Sequence, residues 1–168
     1  MNHNETVPLS PFPLAETGSS GATKEELYAV FIGNKYQRYY QEKFQGLEAV
    51  KSKGGFNISA FFLGPIWLFY RKMYVYGSIY FGFIILTGIM TTMFNVAESV
   101  DRGISMGLAV AMGLGGNGLY NFFIDKKINS PNITITEVKK RGGTNSIAAC
   151  LVLLMVVALV SLGIYLEV

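Results

Sequence analysis

Arg71 and Lys72 stand beside Trp67, Tyr70 and Tyr74 in the run WLFYRKMY. Aromatic rings with basic neighbours are the composition of a membrane–water interface. A basic pair there can meet a phosphate while the rings hold the acyl boundary. Trp67, Tyr70, Arg71, Lys72 and Tyr74 are therefore the candidate contacts for lipid headgroups or a protein partner. A second candidate is polar: Asn117 and Asn121 lie about one helical turn apart inside an otherwise apolar stretch. Amides at such positions hydrogen-bond across helices.

Other chemistries lack their parts. The single histidine, His3, lies in a polar tail, and the single cysteine, Cys150, sits between Ala149 and Leu151. Neither a zinc site of the usual His/Cys spacing nor a nucleophile–histidine triad can be built within the chain. Leu114-Gly115-Gly116-Asn117-Gly118 lacks the Gly-Lys-Ser/Thr of a phosphate-binding loop. No catalytic residue, metal or cofactor is expected. With 14 Lys and Arg against 11 Asp and Glu, and the basic groups scattered, a nucleic-acid partner is not expected either.

The elements that carry these residues read as membrane spans. Apolar residues make up 51% of the 168 positions and charged ones 15%, below the roughly 25% charged of soluble chains. Residues 73–94, 103–124 and 145–166 each hold 22 positions without a charge, enough at ~1.5 Å per residue for the ~30 Å hydrocarbon layer. The expected fold is an all-α membrane protein: three transmembrane helices, a short re-entrant aromatic segment and N-terminal cytoplasmic helices. Pairs of small residues, Gly103 with Gly107, Ala109 with Gly113 and Ala111 with Gly115, suit close helix packing.

Residues 56–70 are too short for a comfortable crossing and are broken by Gly64-Pro65. If this segment enters and leaves by one face, 13 of the 14 Lys and Arg lie on the cytoplasmic side; if it crosses, the two sides carry seven each. The positive-inside rule selects the re-entrant arrangement, with the N-terminus cytoplasmic, loop 95–102 outside and the C-terminus outside. The chain then divides into a disordered tail (1–22), a cytoplasmic or interfacial helical segment (23–53), the re-entrant segment (54–72) and the three-helix transmembrane region (73–168). Thr23 with Glu26 has capping-box spacing. Tyr36, Tyr40, Phe44 and Leu47 share one helix face, turned either to headgroups or to other protein.

The stretch FNISAFFLGPIWLFYRKMYVYG resembles a bacterial family, Domain of Unknown Function 2628, through Gly64, Pro65, Trp67, Tyr70, Arg71, Lys72 and Met73. Gly33, Tyr39, Tyr40, Lys43 and Phe44 are similar to its upstream pattern. GNGLYNFFIDKKI and RGGTNS are similar to its downstream one. Asn57-Ile58-Ser59 departs from it where relatives carry an aromatic and small residues. The resemblance implies a small bacterial inner-membrane protein with no assigned activity, without the zinc-ribbon segments some relatives carry.

Together these features lead to a non-enzymatic scaffold or regulatory protein of the inner membrane. Its partners would be membrane lipids and either a cytosolic protein or further copies of itself. The alternative is a subunit of an oligomeric channel or transporter with Asn117 and Asn121 lining a polar path, although no span carries the ionisable groups that coupled transport usually places at depth.

Overall fold

The computed structural model describes residues 22–44, 54–130 and 133–167. The tail 1–21, Leu47 and the rest of 45–53 lie outside the described residues. The described chain is helical, and no strand occurs in it. In order its helices are α1 (Lys24–Ile32), α2 (Ile58–Leu63), α3 (Pro65–Tyr70), α4 (Tyr74–Met93), α5 (Glu98–Ile128), α6 (Ile135–Arg141) and α7 (Ser146–Glu167), and residues 41–44 are helical as well. A π-helical turn, Tyr36–Tyr40, lies between α1 and α2.

Helix α1 begins as its sequence requires. The Thr23 hydroxyl accepts from the Glu26 amide, and the Glu26 carboxylate accepts from the Thr23 amide. Helix α6 repeats this capping box with Thr134 and Glu137. In the π turn the Gln41 amide reaches the Tyr36 carbonyl five residues back. The wider turn keeps Tyr36 and Tyr40 on one side, and both are buried together with Phe44. This face of the N-terminal segment thus packs on protein.

Gly64 (φ 44°, ψ −114°) both ends α2 and precedes α3. A side chain would be strained at this positive φ, and Pro65 supplies a favourable first helical residue. The 54–72 region is accordingly two short helices set end to end at a sharp break. Helix α2 packs on α5, and α3 packs on α4 and α7. The long helices do not form their main backbone contacts with one another, as a three-helix bundle would, because the broken pair stands between them.

Two helical stretches in the described residues are long and apolar enough to cross a membrane: Tyr74–Met93, and the one that runs through α7 to Tyr165. Helix α5 is 31 residues long but falls short of that standard. Its uncharged part, 103–124, holds six glycines and two asparagines, which dilute its apolar character.

The buried core joins α1, the π turn, α3, the second half of α5 and α6. Tyr120 and Ile124 of α5 are fully buried, as is Val138 of α6. By contrast, large apolar side chains along α4 and α7 face outward, Ile79 at 68% and Leu154 at 65% exposure among them.

Candidate functional site

Helix α3 stops in a Schellman turn. The Met73 amide donates to the Leu68 carbonyl (3.0 Å) and the Lys72 amide to the Phe69 carbonyl (3.1 Å). Lys72, at the position glycine usually takes, has φ 59°. The reversal directs Arg71 inward and Lys72 toward the end of α6. The Lys72 ammonium donates to the carbonyls of Gly142 (2.5 Å) and Lys140 (3.4 Å), where the unpaired carbonyls of a helix end favour a cation.

Neighbouring contacts stitch 141–145 to 70–74 and to the end of α1. The Asn145 amide donates to the Tyr70 carbonyl (2.8 Å), and the Gly143 amide donates to the Phe31 carbonyl (2.7 Å). The Asn145 side chain donates from Nδ2 to the Tyr74 hydroxyl (2.7 Å) and accepts from the Ala148 amide at the start of α7. A Cβ at Gly142 would overlap the Phe31 backbone. These bonds give a physical reason for the RGGTN sequence that precedes the last helix.

Arg71 is 3% exposed. Its guanidinium carbon lies 5.0 Å from the ring centre of Tyr40, 5.1 Å from that of Tyr120 and 5.6 Å from that of Tyr70. Nη2 donates to the Tyr40 hydroxyl at 2.8 Å. Nε, Nη1 and the Tyr120 hydroxyl are buried without a hydrogen-bond partner. Among the described residues no carboxylate forms an ion pair with Arg71. Removing such a cation from water costs several kcal/mol, and each ring face returns about 0.5–2 kcal/mol. Trp67, also 3% exposed, packs edge-on against Tyr120 with ring centres 5.9 Å apart. Burial raises the pKa of the Tyr40 phenol, and the Arg71 charge opposes that rise.

Of the five residues expected to contact headgroups or a partner, Trp67 and Arg71 are therefore interior. Lys72 is half-buried with its ammonium engaged, Tyr70 is half-buried, and Tyr74 is exposed. Tyr40 and Tyr120 complete the arginine's surroundings. The place of Tyr40 on an aromatic helix face was legible, but its pairing with Arg71 across 31 positions of sequence was not, nor was the part of Tyr120.

Asn117 and Asn121 serve two separate networks. Asn117 is fully buried. Its Oδ1 accepts from Asn57 Nδ2 (2.8 Å), and its own Nδ2 donates to the carbonyls of Gly54 (2.7 Å) and Gly55 (3.2 Å). Asn57 meanwhile caps α2 by accepting from the Ala60 amide, and its backbone amide donates to the Gly113 carbonyl. This close approach needs glycine on α5, since a Cβ at Gly116 would stand 2.8 Å from that of Ala60. Asn57, at the start of the broken pair, thus has a buried partner in Asn117.

Asn121 instead donates to the Tyr28 hydroxyl (3.2 Å), which donates to Asp125 Oδ1 (2.6 Å). Lys24 completes this group 3.4 Å from the carboxylate. Burial, and then the bond to Asp125, push the Tyr28 phenol well above the ordinary tyrosine range. Among the described residues no cluster of His, Cys, Asp or Glu has the arrangement of a metal site.

Fold and site define an all-helical protein in which an aromatic-walled, buried arginine lies where a broken helix pair meets the N-terminal segment. A family model described as a protein of unknown function (DUF2628) matches residues 22–125, and the chain belongs to that family. The match takes in α1 through most of α5, with Arg71 and its three tyrosines, and ends before α6 and α7. No curated protein and no solved structure matches the chain.

Proposed function

We propose that this chain is a non-enzymatic integral membrane protein, a scaffold or regulator that contacts lipid headgroups and a cytosolic partner or further copies of itself. The observation that carries this reading is the outward apolar surface of α4 and α7. Ile79, Val75, Leu151 and Leu154 are each more than 60% exposed, and in water such a surface would drive aggregation. In hydrocarbon it is at home.

The charge pattern supports one orientation. With the break at Gly64 turning the chain back, α1, α6 and nearly all cations lie on the cytoplasmic face, loop 95–102 and the C-terminus lie outside, and α4, α5 and α7 cross. The lysines of 126–127 and 139–140 are exposed and available to headgroups. The channel alternative loses its support, because the side-chain amides proposed to line a path are occupied by Asn57, glycine carbonyls and Tyr28.

Fusing a reporter enzyme that works only outside the membrane tests the arrangement. Activity is expected after Val100 and not after Lys72. Equal activity at the two junctions overturns the topology, and release of the protein from membranes by alkaline carbonate overturns the integral-membrane reading itself.

A further inference from the structure

We propose that Arg71, Tyr40 and Tyr120 form a binding site for a phosphate-type oxyanion. Two buried N–H groups of Arg71, Nε and Nη1, have no partner there, and beside them stands the unpartnered Tyr120 hydroxyl, which can donate to an anion as well as accept. The remaining guanidinium nitrogen, Nη2, is held by the Tyr40 hydroxyl, which fixes the plane of the group. Among the described residues no carboxylate neutralises the cation. The rings of Tyr40, Tyr70 and Tyr120, all within 5.6 Å of the guanidinium carbon, supply diffuse negative potential but take up none of those N–H bonds.

A planar guanidinium with spare donors matches an oxyanion, whose several lone pairs accept charge-assisted bonds. A cation would be repelled by the guanidinium.

The approach is also electropositive. Exposed Lys35 lies 5.9 Å from the ring centre of Tyr70, which Arg71 shares. Lys43 lies 4.7 Å from that of Tyr39, whose ring meets Tyr40 edge-on at 4.8 Å. Two cations at the tyrosine wall raise the local concentration of an anion. The oxyanion can come from free phosphate or from a phospholipid headgroup, and the site does not depend on the membrane reading.

Trp67 is the sole tryptophan and touches Tyr120, so its emission reports on the site. The full chain is held in dodecyl maltoside micelles, which contain no phosphate, and titrated in one arm with inorganic phosphate and in the other with phosphatidylglycerol. A saturable emission change with inorganic phosphate identifies a free oxyanion. A change with phosphatidylglycerol alone identifies a headgroup. Arg71→Gln is expected to weaken binding at least about tenfold and Tyr120→Phe about fivefold, the effect of losing a charged or a neutral hydrogen-bond donor. Should Arg71→Gln fail to fold, Tyr120→Phe decides, since it keeps the ring and removes only the hydroxyl. The proposal is overturned by no saturable change in either arm, by an equal change with chloride at matched ionic strength, or by Tyr120→Phe binding as the parent does.

Discussion

The two halves of the molecule use similar residues to opposite ends. In the half built from α1, the π turn, α3, the end of α5 and α6, aromatic side chains turn inward, and Tyr40, Phe44 and Trp67 each meet Tyr120 edge to face. In the half built from α4, the start of α5 and α7, Ile, Leu and Val side chains point away from the protein. The helical glycines differ by what is packed on them rather than by which helix carries them. A side chain at Gly77, Gly113, Gly116 or Gly142 would strike a neighbour, whereas one at Gly82, Gly88, Gly103, Gly107 or Gly163 would meet nothing within 4 Å. Apolar character alone therefore does not create a core. Branched and aromatic shapes that interlock create it in the first half, and the second half leaves its apolar side chains outside any core.

Truncating one representative of each half tests this division most severely. Trp67→Ala removes a buried ring against Tyr120 and is expected to destabilise the protein by about 3–5 kcal/mol. Leu154→Ala, at a 65% exposed position, should change stability by less than about 0.5 kcal/mol. Denaturant titration in mild detergent measures both. Equal losses would mean that α7 is packed in solution and that the two halves do not differ.

The next largest effect separates the asparagines. Asn117→Ala strands Asn57 Nδ2 and the carbonyl of Gly54 in the interior, at about 1–3 kcal/mol for unpaired buried groups. Asn121→Ala breaks one partly buried bond to Tyr28, worth about 0.5–1.5 kcal/mol. The same titration distinguishes them, and a larger loss at Asn121 would reverse the order of importance drawn from burial.

Legibility in the sequence followed the same boundary. Helical class, the capping box at Thr23, the break at Gly64-Pro65 and the family resemblance are properties of neighbouring residues, and the local pattern contained them. Gly103 and Gly107 were expected to pack helix on helix, yet their surroundings are open, and Gly113 and Gly116 receive Phe56, just before α2, and Ala60 of α2 instead. Spacing shows that a helix face is small, but not which element will cover it. Arg71 was harder still. Its neighbours in sequence read as an interfacial anchor, and only contacts with Tyr40 and Tyr120, on other elements, turn it into a buried cation. The reversal at Lys72 carried no glycine to announce it.

That reversal has a counterpart in the other half, and the pair offers the finest test. Helix α4 ends at Asn95 (φ 47°) in the same type of turn, with the Val96 amide donating to the Thr91 carbonyl and the Asn95 amide to the Thr92 carbonyl. Glycine relieves left-handed strain at either position, by about 1 kcal/mol for an ordinary side chain and less for asparagine, which tolerates that region. Asn95→Gly should therefore raise stability by a few tenths of a kcal/mol, about 0.3. Lys72→Gly gains more backbone relief but loses the ammonium bonds to Gly142 and Lys140, so no net gain is expected. Lys72→Ala keeps the strain and loses the same bonds, and should fall about 1 kcal/mol below Lys72→Gly. Thermal unfolding of the three variants decides the matter. A gain from Lys72→Gly larger than that from Asn95→Gly would show that the tie between α3 and α6 contributes nothing, and that the lysine's turn, like asparagine's, is set by its own backbone alone.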